Sequence, residues 1–487
     1  VSFQDDHNKA QLPKIIQDYV GLPAFVVAVV FLGLGLWWIT LQPTYLEDYK
    51  KEFVPRRPVV YETPPPRAGA GISANLGALI PGTGTASSLP GSWPLFRGPL
   101  LDNIAKSPVE LARSWPESGP PVLWTVEMGE GHAGAAIHNG RVYVIDYDRD
   151  KQEDAIRCLS LDSGEEIWRY TYSVEIKRNH GMSRTVPVVN DKYVVALGPK
   201  LHLHCLDAVT GEKKWFIDLV KDYDCVIPQW YAGQCPLIEG DTVIIAPGTK
   251  PLIMRVNLET GEVVWRSQPD LDDMGMTHSS VLPIEFEGIR QYVYCTQEGA
   301  VGVAADDGRR LWTLPDWKIG IANIPTPVWL GDGRLFFSGG YEKGSMMAQL
   351  EKTADGGIGA KELWSLPARD FGSDQQTPIY YNGHIYGVKP RPAELLCLDP
   401  KDGARLWTSG GARRFGLGPY VIVDDLLFVL DDRSCNLHML EANPKEYKEL
   451  GRAQMMDGHD AWAPMAFANG LLILRDLTIM KCVDLRK

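Results

Sequence analysis

Beyond residue 120 the chain is written in short apolar runs, alternating or continuous, each broken by Gly, Asn or Asp. That pattern predicts strands and tight turns, because side chains alternate across a strand and Gly supplies the positive φ that turns need. One phrase keeps returning: "LDSGEEIWRY", "LDAVTGEKKWFI", "VNLETGEVVWRS", "AADDGRRLWTL" and "LDPKDGARLWTS". In each a Gly stands four residues before a Trp (Gly164 and Trp168, Gly211 and Trp215, Gly261 and Trp265, Gly308 and Trp312, Gly403 and Trp407). Trp364 continues the series after a remodelled turn, and successive Trp lie 47, 50, 47, 52 and 43 residues apart. Upstream of each turn lies a hairpin pattern such as "AAIHNGRVYVID" or "TPIYYNGHIYGV", and there are eight of these.

Each repeat therefore reads as four strands, the third ending in Asp or Asn and the outermost carrying Trp. Eight such units predict an all-β, eight-bladed β-propeller. The last unit, "LTIMKCVDLRK", stops without an outer Trp strand, whereas "PPVLWTVEM" near the front holds Trp124, 44 residues before Trp168. The N-terminal strand is thus expected to complete the last blade and remove an open edge. Trp124, Trp168, Trp215, Trp265, Trp312, Trp364 and Trp407 are expected to dock blade on blade.

Composition narrows the class. The 487 residues are 45% hydrophobic with 15 Trp, 48 Gly and 35 Pro, as many strands and turns require. A net charge of −12, with no Lys/Arg-rich run, excludes nucleic acid as the main partner. The eight Cys include no C-x-x-C pair, and Cys158, Cys205 and Cys397 recur at one repeat position as small buried groups. Cys225 and Cys235 flank one loop, which leaves open either a disulfide or two free thiols. No metal-ligand spacing stands out. "QPDLDDMGMTH", with Asp272 and Asp273, reads as an exposed acidic turn.

The front of the chain differs. After an N-terminal segment, 1–19, residues 20–41 ("VGLPAFVVAVVFLGLGLWWITL") carry no charge, and 22 residues of helix span roughly 33 Å, enough for a bilayer core. We expect a single transmembrane helix there, anchoring the chain to a membrane. The flanking Lys and Arg do not decide its orientation. Residues 42–92, rich in Pro, Gly and Ser, read as a tether to the propeller at 93–487.

The Gly-x-x-x-Trp turns and the lead-in "WPLFRGPLLDNIAKS" resemble the PQQ-like (quinoprotein-type) eight-bladed propellers, a group that includes dehydrogenases and the outer-membrane-assembly lipoprotein BamB. The likeness covers roughly residues 92–487. It implies a bacterial envelope protein with a periplasmic propeller, and the apolar segment places the anchor in the inner membrane. Two functions follow from it. One is a non-catalytic binding or assembly scaffold for envelope proteins. The other is a PQQ- and Ca²⁺-dependent dehydrogenase oxidising an alcohol or sugar. No cofactor is fixed by the residues themselves.

In a propeller, the loops that lead into the innermost strands converge on one mouth of the central channel. Here they carry His132, His180, Arg184, Trp230, Gln234, His278, Asn323, Gln376, Arg414, His459, Asp460 and Trp462. The mix of cations, imidazoles, amides and indoles suits a small anionic or hydroxylated ligand, with Arg for charge and Trp for stacking.

Overall fold

A computed structural model describes residues 77–487 except 273 and 412. The expected membrane helix at 20–41 and the tether before residue 77 lie outside the described residues. Among the described residues no helix is long and apolar enough to cross a membrane.

Eight antiparallel sheets form, one per repeat, with their innermost strands opening at residues 136, 188, 237, 282, 328, 379, 420 and 466. We number the blades 1 to 8 in that order. Blade 8 is composite. Its three inner strands come from the C-terminus (Ala466–Ala468, Leu471–Arg475, Ile479–Asp484), and its outer strand is Val122–Glu127, paired antiparallel to Ile479–Asp484. The predicted closure is therefore present. Arg475 reinforces the seam, since its buried guanidinium donates to the carbonyls of Ala133 and Gly129 at the front of blade 1.

The repeated phrase explains how blades dock. In each blade the outer strand bulges one residue before the Trp position, so that Trp168 faces Cys158, Trp215 faces Cys205, Trp407 faces Cys397 and Trp124 faces Cys482. A small Sγ group lets each indole lie flat on its own sheet. The ring's other face meets the next blade at the turn glycine. A Cβ on Gly164 would stand 2.7 Å from the Trp124 ring, one on Gly211 2.6 Å from Trp168, and one on Gly261 2.8 Å from Trp215. These glycines also hold φ between +71° and +76°, so two constraints select the same residue. The indole N–H completes the joint, with Trp124 donating to Leu161 O, Trp215 to Leu258 O, Trp265 to Ala305 O and Trp407 to Asn443 O. Trp168 and Trp312 depart, the Trp168 N–H being buried without a partner among the described residues and Trp312 donating to Gln291 within its own blade. Burying one indole is worth roughly 4–6 kcal/mol as an upper bound.

Two blades carry extra strands. Ala78–Pro81 pairs with the outer strand of blade 1, so the last part of the Pro/Gly/Ser-rich stretch is built onto the propeller edge. Ile104–Ala105 pairs parallel to the innermost strand of blade 7. Between them the lead-in runs across the channel. Trp93 bridges Ile137 of blade 1, the Pro94 carbonyl accepts from Val189 of blade 2, and Arg97 donates to the Pro378 carbonyl of blade 6. Gly98, at φ +85°, lies against the Trp93 ring. The "W-x-x-F-R-G" phrase is thus a plug. Blade 7, which has Gly451 at the Trp position, receives Trp115 from the same N-terminal stretch, stacked on Phe428 at 6.1 Å.

All eight cysteines are unpaired and buried, which settles the open disulfide question. Cys235 Sγ accepts from the Val186 N–H, while Cys225 Sγ lies 3.5 Å from Thr249 Oγ1.

Replacing Gly261 with Ala is expected to cost about 3 kcal/mol, because strained φ adds to a clash with an indole held on both faces. Gly288→Ala, at a similar φ of +75° but with nothing within 4 Å, should cost only about 1 kcal/mol. Urea unfolding of the two variants measures the difference, and equal losses would remove the Trp seat as the reason for glycine.

Candidate functional site

The channel mouth is built from the eight stretches that precede the innermost strands. In five of them a Pro stands directly before the strand (Pro187, Pro236, Pro327, Pro378, Pro419). Pro is tolerated at the start of an innermost strand, where a missing N–H takes little from the ladder. One residue earlier, an arc of hydrogen bonds runs from blade 2 to blade 6. The N–H of Val186 donates to Cys235 Sγ, that of Cys235 to Ser280 Oγ, that of Ser280 to Thr326 Oγ1 and that of Thr326 to Thr377 Oγ1. Blades 7, 8 and 1 place Gly418, Pro464 and Gly134 at this position, and a Cβ on Gly134 would meet the Pro464 carbonyl at 2.8 Å.

Four residues before each inner strand the side chains turn into the mouth. In blade order these positions hold His132, Arg184, Gly233, His278, Ile324, Gln375, Gly416 and Trp462. All but Gly416 line one cavity of about 290 Å³, together with Phe96, His180, Trp230, Tyr341, Gln376, Cys235 and Pro464. Phe96 belongs to the plug, which brings the plug into the cavity wall.

The ring side chains are fixed by their neighbours. His132, only 7% exposed, stacks on Trp462 at 4.5 Å, and its Nε2 bonds the His180 carbonyl at 3.0 Å. The Trp462 indole donates to Asp432, whose carboxylate also accepts from Leu417 N–H. Gln376 donates to the Trp462 carbonyl. Arg184 donates to the carbonyls of Asn179 and His180, pinning a loop in which His180 sits at φ +50°. The ring of His278 lies over Gly233, where a Cβ would come within 2.4 Å of it, and Trp230 lies 6.3 Å from it.

Electrostatics follow from burial. Desolvation, with Arg184 and Arg475 alongside, holds the His132 imidazole down to about 3, and burial beside Arg184 holds His278 at about 4. Burial lowers Arg184 to about 10, so it remains a cation at neutral pH. The wall therefore carries the Arg184 cation, the two imidazoles of His132 and His278 held neutral by burial, the imidazole of His180, and no Asp or Glu among the lining residues.

Of the side chains expected at the mouth, the cavity gathers His132, His180, Arg184, Trp230, His278, Gln376 and Trp462. Gln234 is instead fully buried, strapping Ala246 through both ends of its amide. Asn323 is buried one residue before the ring position, which Ile324 occupies. Arg414 is exposed and Gly416 takes its place in the ring. His459 and Asp460 pair with each other at 3.2 Å and do not line the cavity. Phe96 and Tyr341 complete the wall without having been singled out among the expected residues.

The dehydrogenase expectation can be set against this wall. PQQ chemistry with Ca²⁺ needs carboxylate oxygens for the metal and a carboxylate base. Of the buried acids, Asp432 is engaged by Leu417 and Trp462 and Asp146 by Gly129 and Arg157, while Asp476 accepts at one oxygen from the N–H groups of Thr478 and Ile479 and its other oxygen is buried without a partner. Among the described residues no group of three His, Cys, Asp or Glu is placed to hold a metal. These residues do not fit PQQ with Ca²⁺.

Comparison with known proteins places the fold. A family model, PQQ_2, described as outer membrane protein assembly factor BamB, matches residues 152–409. No curated protein sequence matches the chain. BamB from Moraxella catarrhalis is similar in structure at 15% identity and TM-score 0.51, over 75% of this chain and 97% of that one. The quinohemoprotein alcohol dehydrogenase of Comamonas testosteroni aligns at 13% identity and TM-score 0.56, over 82% of each chain. Quinohemoprotein alcohol dehydrogenase ADHIIG from Pseudomonas putida HK5 aligns at 12% and 0.52, over 75% of this chain and 76% of its own. At these identities the likeness to solved structures concerns the fold alone.

The two ring histidines make stability depend on pH. Both are depressed below the 6.5 of a free imidazole, so the unfolded chain takes up their protons first. Their contribution is complete above about pH 6.5 and is lost as pH falls toward about 4 for His278 and about 3 for His132. Melting temperature should fall between pH 7 and pH 5, and more gently in a His132→Gln/His278→Gln double variant. Parallel curves for the two proteins would refute buried neutral imidazoles.

Proposed function

The chain belongs to the PQQ_2 family of BamB-like propellers, and from that premise we propose that it is a non-catalytic binding scaffold of the bacterial cell envelope. The observation that carries this reading is the wall of the channel mouth, which has a cation, amides, indoles and neutral imidazoles but no carboxylate. General acid–base chemistry near neutral pH calls for a group titrating near that pH, and two of the wall's three imidazoles, His132 at about 3 and His278 at about 4, are too weakly basic for it. The apolar run at 20–41 supports tethering to the inner membrane, and the family supports a periplasmic propeller that works with envelope proteins. The plug supports a holding rather than a reactive role, because it fills the inner channel with a fixed segment of the chain itself.

Calorimetric titration of the full chain with PQQ plus Ca²⁺ tests this reading. Neither heat nor a rise in melting temperature is expected, and no dye should be reduced when alcohols or sugars are added. Micromolar PQQ binding coupled to substrate-dependent dye reduction would establish the dehydrogenase instead.

A further inference from the structure

The face that opens into the cavity is also where apolar side chains stand out. Ile321 is 61% exposed in the loop before blade 5, and Val226 is 56% exposed in the loop before blade 3. Tyr341, 41% exposed, sits between the second and third strands of blade 5. In an antiparallel blade that turn returns to the side from which the innermost strand began, so all three belong to the mouth. Tyr341 also lines the cavity, so exposed apolar surface leads from the rim toward Trp230, Trp462, Phe96 and Ile324 within. Large apolar groups exposed around a concave site mark a surface that another molecule covers.

Charge on that face is one-sided. The loops that open blades 6 and 7, with the turns between the second and third strands of those blades, carry Arg369, Arg391, Arg414 and Arg433, all exposed. Arg413 pairs with Glu449, but the other four make no ion pair among the described residues. Asp370 is the one exposed acid among the described residues of these connections, since Asp374 and Asp431 are half-buried and Asp432 is buried. Four such cations in a chain of net charge −12 run against its composition. Arg391 and Asp374 both lie within electrostatic reach of Tyr341, which puts Arg391 near the edge of the cavity. None of the four arginines lines the cavity itself, so an occupant that touches both must extend from the cup onto the rim. A guanidinium matches a carboxylate, and an aromatic wall matches an apolar side chain. We propose that the mouth receives an acidic, extended segment of another protein, one aromatic side chain lodged in the cup against Trp230, Trp462 and Tyr341 and its carboxylates over the arginines of blades 6 and 7. This rests on the non-catalytic reading of the same face and supplies the partner chemistry that reading leaves open.

The test is fluorescence anisotropy of the labelled peptide Asp-Glu-Asp-Phe-Asp-Glu-Asp titrated with the full chain. Two further peptides are titrated in parallel, one with Ala in place of Phe and one with Asn and Gln in place of the acids. The first should bind, and each of the others should bind about tenfold more weakly, the scale of one buried aromatic or one charge-assisted contact. Added salt should weaken the acidic peptide and spare the amide one. Arg391→Glu/Arg414→Glu should weaken the acidic peptide by about tenfold and leave the amide peptide unchanged, since both arginines are exposed and a general loss of folding would weaken both peptides. Tyr341→Ala should erase the preference for Phe over Ala and keep the salt dependence. No anisotropy change with the first peptide, or equal binding of all three, overturns the proposal. So does binding that ignores the Phe, which would make the arginines a general anion surface, or binding that ignores the acids, which would make the cup a site for uncharged apolar segments. Failure with the peptide alongside failure with PQQ and Ca²⁺ leaves the scaffold standing without this partner. Displacement of the bound peptide by PQQ and Ca²⁺, with substrate-dependent dye reduction, overturns the scaffold instead.

Discussion

An indole ring pressed against the α-carbon of a glycine in the next blade is the contact on which the rest of the molecule depends. The glycine turn has no room for a side chain, the bulge before the Trp turns the ring outward, and in four blades a cysteine opposite lets it lie flat. These three features fix how far one blade stands from the next. Blade spacing in turn sets the width of the channel and the height at which side chains from successive blades meet. The ring of His132, Arg184, His278 and Trp462 is therefore a consequence of contacts made at the rim of the disc.

Closure carries a different burden. Seven blades are continuous in sequence, but the eighth is shared between the two ends of the chain, and Val122–Glu127 must find Ile479–Asp484 across the whole length of the fold. Pairings of such long sequence separation form late and slowly in general. Arg475 marks the seam with a buried cation that answers carbonyls of blade 1. The plug adds a second tie, because the segment that precedes the closing strand touches blades 1, 2, 6 and 7 from inside.

Most of the fold was legible because the features that build it are local. A Gly four residues before a Trp states the turn and the joint, the eight recurring hairpins state the blade number, and the displaced Trp124 states the closure. Ala78–Pro81 was not legible, because a strand added to an existing edge takes its bonds from the sheet and needs no periodicity of its own. Nor was Trp115, which substitutes for a Trp that blade 7 lacks. In the site, polar loop residues were found, but Gln234, Asn323 and Arg414 were each misplaced by one or two residues because loop lengths vary. The Pro that opens five of the inner strands is the ruler that would have placed them, since the ring lies three residues before it. Phe96 escaped for another reason, since it belongs to no blade.

The lead-in gives the channel a floor made of its own chain. A ring of blades open at both ends would be a conduit, whereas this one is a cup. Whatever occupies it must come and go through the single face where the loops gather, and a protein seated on that face would seal the contents inside. Filling and docking then exclude or depend on one another by geometry alone, and the order in which they happen becomes a property of the fold.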